Sequence, residues 1–301
     1  MSAVELPELV DYQDQPKQAP AGKSAKTGEL RMRFVDKDDR TVLADLYRKT
    51  PLLVQQALYW DEQIPDMACV YIISISGGVL QGDRLSVDIT LEAGAKAHIT
   101  TQSATKVHQM DANYAVQDQR IVLGPDSYLE YLPGITIPHR NSRYVTRSDV
   151  VIDESATLLF SEVVMPGRKY HHDDEVFGYD VYSALLRARR PDGRRLFTEK
   201  ILIEPARTPV RLIGVMGEYD VFGNVFVLTP PERAAAILAR TPAGLRDGVY
   251  SGASRLPGDC GLVFKAIGAE SRPVLERVRE FWAVVRDEVL AAELGPRPLW
   301  M

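Results

Sequence analysis

Short apolar runs separated by turn signals dominate the chain from residue 29 onward. Apolar and polar residues alternate over residues 31–35, and residues 70–75 form a β-branched run typical of a buried strand. Similar runs follow along the rest of the chain, at residues 41–47, 180–187, 196–203, 210–215 and 221–228. The pattern therefore predicts a mainly β protein.

A strand–turn–strand unit recurs in the first half of this β region. Its turns lie at residues 92–94, 124–126 and 153–155, roughly 30 residues apart, which suggests stacked layers of β-structure. An antiparallel β-sandwich would also give short strands at regular spacing. We predict a layered, β-helix-like stack of short strands, with the antiparallel sandwich as the alternative.

Helical signals come only in the C-terminal third. Residues 231–238 begin with Pro231 and Glu232, which suit the first turn of a helix. The stronger signal runs from Ser271, a candidate cap, to about residue 294, with apolar residues near helical spacing. The pattern predicts two helices after the strands.

The first 28 residues differ in composition from the rest of the chain. They combine proline, glutamine, lysine and aspartate with little apolar periodicity, so they bury too little surface to offset the entropy of ordering. We predict a flexible tail over residues 1–28, or a segment that orders against a partner. Residues 29–301 are predicted to form a single domain.

Composition and charge exclude several classes of protein. The 301 residues are 45% hydrophobic with a net charge of −5, so no overall cationic field would attract nucleic acid. Cys69 and Cys260 lack a CxxC partner, which excludes zinc-ribbon and thioredoxin-type sites. We find neither an export signal nor an apolar stretch of the roughly 18 residues that a membrane helix needs. We therefore expect a cytoplasmic protein that does not bind membranes or nucleic acid.

Two short motifs resemble binding sites but favour simpler interpretations. Residues 21–24 imitate the end of a phosphate-binding loop, but the earlier glycine and the flanking strand and helix are missing. Arginines at 187–190 and 194–195 flank the turn at residues 191–193, which favours a solvated hairpin tip over a phosphate-binding patch.

Few residues suggest chemistry by their spacing alone. The densest group of potential metal ligands is His171 and His172 followed by three acids. Adjacent histidines on a strand point to opposite faces, so a polar loop is favoured and both histidines remain weak metal candidates. Asp83, Glu162 and Glu199 lie near strand ends, where each alone suggests a solvated carboxylate.

The segment from residue 76 to residue 107 is the most informative motif. Gly77, Gly78 and Gly82 surround a tight bend that ends in Asp83, and residues 100–107 form a polar, hydroxyl-rich strand. Spacing alone gives a turn and a strand but no reaction.

Taken in order with several weaker motifs, this segment resembles the urease accessory protein D/H family. Those weaker motifs lie at residues 50–59, 132–133, 167–168, 250–254, 282–286 and 296–300. Where the family usually continues to a Gly-Glu pair after residues 167–168, this chain has a longer loop at residues 169–175, and its N-terminal tail is also longer.

The resemblance implies a scaffold rather than an enzyme. It implies a β-rich, helix-like fold. It also implies binding to apo-urease and to the accessory protein F, which recruits the nickel-carrying GTPase G. Members of the family are expected to enclose a water-filled route for nickel, with no stably bound cofactor. Asp83, Glu162 and Glu199 match acidic family positions and are candidates for lining that path, with Thr105 as a polar neighbour. Weak oxygen ligands suit such a path because tight ligation would trap the ion.

Two other functions stay open on the sequence. One is a β-solenoid hydrolase with paired carboxylates such as Asp83 and Glu162, whose separation would test the idea. The other is a purely structural adaptor without a metal path.

Overall fold

The computed structural model describes residues 6–14 and 27–295, whose strands form two large sheets. The first nine strands are β1 (Thr27–Lys37), β2 (Arg40–Lys49), β3 (Leu52–Leu53), β4 (Ala68–Ser74), β5 (Arg84–Leu91), β6 (Lys96–Thr101), β7 (Thr105–Val107), β8 (Ala115–Leu123) and β9 (Tyr128–Tyr131). The other nine are β10 (Thr136–Pro138), β11 (Arg143–Ile152), β12 (Thr157–Val164), β13 (Val181–Arg189), β14 (Arg195–Ile203), β15 (Val221–Leu228), β16 (Gly244–Arg246), β17 (Val249–Arg255) and β18 (Gly261–Gly268).

The two sheets share the repeat unit between them. The seven-stranded sheet has the order β14-β13-β11-β8-β5-β1-β2. The eleven-stranded sheet has the order β16-β17-β18-β15-β12-β9-β6-β4-β3, with β7 and β10 paired beside β12. Each repeat places its first strand in the seven-stranded sheet and its second strand in the other, as in β5–β6, β8–β9 and β11–β12.

The repeats stack in parallel, which confirms the predicted β-helix-like stack. Ile89 of β5 lies opposite Ile121 of β8, which lies opposite Val150 of β11, so equivalent positions form a ladder through the layers. The antiparallel sandwich is wrong, because these central strands are parallel. Antiparallel pairs occur at both margins of the seven-stranded sheet, as β1–β2 and β13–β14, and throughout the half of the eleven-stranded sheet that runs from β12 through β15, β18 and β17 to β16.

The main hydrophobic core fills the space between the sheets. In β5, every second residue from Leu85 to Leu91 is buried, and the polar residues between them are only partly exposed. Each buried aliphatic side chain contributes about 1.5–3 kcal/mol relative to exposure. Because the side-chain period is two, a slip of one residue would turn this apolar set away from the core.

The three predicted turns of the repeat are confirmed. Each connects strands of the two sheets with four residues: 92–95 between β5 and β6, 124–127 between β8 and β9, and 153–156 between β11 and β12. Gly94 and Asp126 adopt positive φ angles of 73° and 55°, which these tight connections require.

The two predicted helices are also present, although their details differ from the prediction. They are α1 (Pro231–Ala239) and α2 (Ser271–Leu290), and α2 packs on β15 and β18. Phe281 stacks on Phe264 with ring centroids 4.5 Å apart. Ser271 is the first helical residue rather than the cap, which is Glu270 without a side-chain hydrogen bond.

One predicted strand is wrong. Residues 210–215 form consecutive turns, closed by hydrogen bonds such as that from the Val215 amide to the Leu212 carbonyl. Leu212, Ile213 and Val215 are exposed, so the apolar pattern in this segment does not mark a buried strand.

Part of the predicted N-terminal tail packs on the seven-stranded sheet. Pro7–Tyr12 forms a short 3-10 helix, whose buried Leu9 contacts Val116 and Val145. Residues 1–5 and 15–26 of the predicted tail lie outside the described residues, so the flexibility of the tail and the division at residue 28 stay predictions. Across residues 6–14 and 27–295, no helix has the length and apolar character needed to cross a membrane.

Candidate functional site

A cavity of about 210 Å³ lies inside the stack, between the two sheets. Its wall combines apolar side chains, such as those of Leu85 and Phe160, with hydroxyl, amide and carboxylate groups. A smaller cavity of about 20 Å³ adjoins it and reaches Glu199 on β14. Thr146, Ser148, Phe160 and Glu162 line both spaces, so the two cavities meet at these residues.

Glu162 is the carboxylate that both cavities share. It lies on β12 opposite Asn224 of β15 and accepts a 2.6 Å hydrogen bond from the Tyr182 hydroxyl group. Burial raises the pKa of Glu162, and the nearby charge of Glu199 raises it further. Hydrogen bonds from Tyr182 and Asn224 lower the pKa but only partly offset these effects. The side chain is therefore held in place but easier to protonate than an exposed glutamate.

Several neutral oxygen-bearing groups line the same cavity as Glu162. The Tyr144 hydroxyl group donates to the Gln117 side chain at 3.0 Å, and Ser148 donates to Gln119 at 3.1 Å. Burial raises the pKa of Tyr144 and of Tyr182, so both stay neutral hydroxyl groups at physiological pH. Among the described residues that line the larger cavity, Glu162 is the single carboxylate, Lys106 is the one basic residue, and the other polar groups are neutral.

Thr105 and Glu199 lie at different places along these spaces. Thr105 begins β7 and lines the larger cavity beside Gly78 and Lys106. Glu199 lines the smaller cavity, and Lys265 of β18 forms an ion pair with its carboxylate at 2.9 Å. The structure thus brings Thr105, Glu162 and Glu199 together along one pair of adjoining cavities.

Asp83 has a different position from the other acidic candidates. It is only 1% exposed, and its carboxylate accepts a 2.8 Å hydrogen bond from the Leu80 amide. The Asp83 amide donates back to the Leu80 carbonyl, which closes the tight bend of the glycine motif. Asp83 is not among the residues that line either cavity. This position does not favour a hydrolase with Asp83 and Glu162 as paired carboxylates.

The glycines of the motif bring the bend close to β7. The Val79 amide donates to the Lys106 carbonyl at 2.7 Å. A Cβ atom at Gly78, whose φ is +150°, would lie 2.5 Å from that carbonyl oxygen. Only glycine fits this approach, so the motif shapes the cavity wall next to Thr105.

His171 and His172 lie in an exposed turn before a short 3-10 helix. Their ring centroids are 6.3 Å apart, and the nearest carboxylate oxygen, from Asp174, is 3.7 Å from His172. Over the described part of the chain, no group of three or more His, Cys, Asp or Glu side chains could hold a metal ion. A metal role for these histidines stays a prediction.

Sequence reasoning missed a buried charge cluster beneath α2. Fully buried Arg286 donates to both carboxylate oxygens of Glu130, at 2.8 and 2.7 Å, and also binds Asp61. His98 and Trp282 bind Glu130 as well, at 2.8 and 2.7 Å. Burial alone would raise the pKa of Glu130, but the His98 and Arg286 interactions hold it at about 2.

This cluster connects α2 to the sheet that carries the site. The sequence signal was Trp282 and Arg286, spaced four residues apart on one helix face. Its partners lie far away in the chain, so the pattern alone could not identify them.

Comparison with known proteins places this architecture in a family. The family model described as UreD urease accessory protein matches residues 26–301. The chain belongs to the UreD family. It is 51% identical over 299 residues to the urease accessory protein UreD of Yersinia pseudotuberculosis, covering 99% of this chain and 93% of the relative. It is 49% identical over 295 residues to urease accessory protein UreD 2 of Brucella canis, covering 97% and 98%.

The predicted family is therefore confirmed, and it supports a role for this UreD chain in urease maturation. The family is named for an accessory protein, as the resemblance implied. Its name identifies neither the partners of this chain nor the residues that serve them.

Proposed function

We propose that this UreD chain is a cytoplasmic scaffold in urease maturation that passes nickel to apo-urease without catalysing a reaction. In this role it binds apo-urease and the accessory protein F, and through F the GTPase G. Nickel is the cargo in transit rather than a resident cofactor.

The pair of adjoining cavities that meet at Glu162 carries this proposal. One carboxylate among neutral oxygen groups binds a divalent cation weakly, because the described lining residues of the larger cavity supply neither a soft ligand nor a second anionic one. Weak binding permits the ion to leave again, which a delivery route needs. Because its pKa is raised, Glu162 also takes up a proton more readily than an exposed glutamate, and that proton would compete with a bound cation.

The proposed route runs from the Thr105 side through Glu162 to Glu199. Thr105 supplies a neutral oxygen near the glycine bend, and Glu162 supplies the central carboxylate. At the other end, Lys265 partly neutralises Glu199, which limits how tightly an ion is held there. A direct contact of Asp83 with nickel stays a prediction, and this route does not depend on it.

Co-expression with urease subunits and the other accessory proteins tests the proposal. Omitting this chain should lower both the nickel content and the activity of urease, and adding it back should restore both. Glu162→Gln keeps the size of the side chain and removes its charge. Losing a charged contact of about 1.5–3 kcal/mol should reduce nickel delivery about tenfold or more.

Glu62→Gln is the matched control, because Glu62 is exposed and lies outside both cavities. Co-purification with apo-urease and thermal unfolding would show that the variants still bind and fold. Normal nickel delivery by a folded Glu162→Gln, Glu199→Gln double variant would refute the route. If omitting the whole chain left urease unchanged, the maturation role itself would be refuted.

A further inference from the structure

Five turns form a row along one edge of the seven-stranded sheet. Strands β1, β5, β8, β11 and β13 are parallel neighbours, so all five end at this edge. Their ends are level, because Phe34 pairs with Leu91, Leu91 with Leu123, and Leu123 with Ile152. We call the turns at residues 36–40, 92–94, 124–126, 153–155 and 189–195 the turn row.

Charge is distributed unevenly along the turn row. Each of the first four turns has more acidic than basic residues. The last one, the hairpin at residues 189–195, holds four arginines and a single aspartate. The basic hairpin therefore stands at one end of an otherwise acidic row, in a chain whose net charge is −5.

Most arginines of this hairpin lack an acidic partner. Arg190 donates to the carbonyl groups of Ile152 and Asp153, which fixes the hairpin beside the next turn. Arg189, Arg194 and Arg195 are exposed, and none forms an ion pair with any of the described residues. Arg189 also lies directly opposite Arg195 across the two strands, an arrangement of like charges that destabilises a hairpin.

Unpaired acidic side chains lie nearby in the same row. Asp126 and Glu154 are exposed, and neither forms an ion pair within the described part of the chain. They belong to the turns that follow β8 and β11. Neighbouring strands lie about 4.8 Å apart, so the turn after β11 is one strand spacing from the end of β13, and the turn after β8 is two.

We propose that the turn row is a salt-sensitive interface between two copies of this chain. In a two-fold arrangement, the arginine hairpin of one copy meets the turns at residues 124–126 and 153–155 of the other, and the reverse contact forms by symmetry. A single surface can complement itself because it carries unpaired charges of both signs. The attraction arises from exposed charges, so it is weak and screened by salt.

Sedimentation velocity of the purified full chain tests this proposal without urease or nickel. We expect dimers at about 50 mM NaCl and a dissociation constant at least about tenfold larger at about 500 mM NaCl. The double variant Arg189→Glu, Arg195→Glu should be monomeric, because like charges then meet. The double variant Asp126→Lys, Glu154→Lys should be monomeric for the same reason. An equimolar mixture of the two double variants should associate again, since each restores the charge that the other lacks.

The control double variant Arg246→Glu, Arg272→Glu makes the same charge change on the other sheet and on α2. It should associate like the unmodified chain, and circular dichroism should show that all variants are folded. A monomeric unmodified chain at low salt, or a mixture that does not associate, would overturn the proposal. Equal loss of association in the control would overturn it as well.

Discussion

Replacing Arg286 by methionine should strongly destabilise this UreD chain. The change keeps an unbranched side chain in the core but removes every donor that Arg286 gives to Glu130 and Asp61. Both carboxylates would then be buried without their cation, at 0% and 4% side-chain exposure. Removing one partner of a buried ion pair costs about 3–5 kcal/mol of unfolding free energy.

The pKa of Glu130 gives a second value for the unfolding free energy that the cluster contributes. Against the effect of burial, the interactions with His98 and Arg286 together lower that pKa from 4.5 to about 2, which corresponds to about 3 kcal/mol of preference for the charged form shared between the two partners. If Glu130 instead takes up a proton in the variant at neutral pH, that protonation costs a similar amount. Whether Glu130 stays charged without its cation or takes up a proton, the expected loss of unfolding free energy therefore lies near the lower end of that range.

Urea unfolding at neutral pH measures this effect. Arg272→Met is the matched control, because it makes the same substitution in the same helix. The Arg272 side chain is 86% exposed and pairs with Glu276 at 3.1 Å, so its loss should change stability by less than about 0.5 kcal/mol. Comparable stability of the two variants would refute the reasoning.

The pH dependence of stability provides a second test of the same cluster. Below pH 4.5 the unfolded chain protonates this glutamate while the folded chain keeps it charged. The stabilisation is therefore complete above pH 4.5 and is lost as pH falls towards about 2. In Arg286→Met this acid-dependent loss should be much smaller, and an unchanged acid profile would contradict the assignment.

Three further changes give distinct outcomes. Tyr182→Phe removes a hydrogen bond that lowers the pKa of Glu162, so the titration midpoint of that carboxyl group, followed by isotope-edited NMR, should rise. Gly78→Ala forces a Cβ atom to 2.5 Å from the Lys106 carbonyl oxygen at φ +150°, and urea unfolding should show a loss of about 1–3 kcal/mol. Cys69 is fully buried and its pKa is raised to about 12, mainly by burial, so a thiol reagent at pH near 8 should not label it in the folded chain.

Each of these has a direct control or contrary outcome. A Glu162 midpoint that stays constant or falls would contradict the role of Tyr182. Gly214→Ala has nothing within 4 Å of the added atom and should leave stability nearly unchanged. Rapid labelling of Cys69 without denaturant, at a rate close to that of the unfolded chain, would show that its burial is wrong.

Features encoded by local pattern were predictable from this sequence. The turns at residues 92–94, 124–126 and 153–155 recur because each layer reverses the chain at the same place, and alternation in β5 reflects its buried face. The strand predicted at residues 210–215 failed because apolar residues alone do not show whether a segment has a sheet to join. Ser271 failed as a cap because helices begin where tertiary packing allows, one residue away from the strongest local signal.

The buried cluster could not be predicted for a different reason. Asp61 and Arg286 are 225 residues apart in the chain, and Glu130 and Arg286 are 156 apart. No periodic pattern links positions that meet only when α2 packs on the stack. Trp282 and Arg286 indicated a helix face, but the carboxylates that the face covers depend on the whole topology.

Asp83 and Glu162 show why the same limit applies to the candidate site. In the sequence both are carboxylates near strand ends, and the family resemblance implies an acidic position for both. In the fold, Asp83 uses its carboxylate to close the glycine bend onto Leu80, whereas Glu162 faces a space that water or an ion can enter. A group on a delivery route must reach such a space and must also release its ligand. Glu162 meets the first condition by position and the second through its raised pKa, because protonation competes with a bound cation. The two carboxylates therefore occupy separate places: Asp83 holds the bend next to β7, and Glu162 is the carboxylate that nickel would meet on the proposed route.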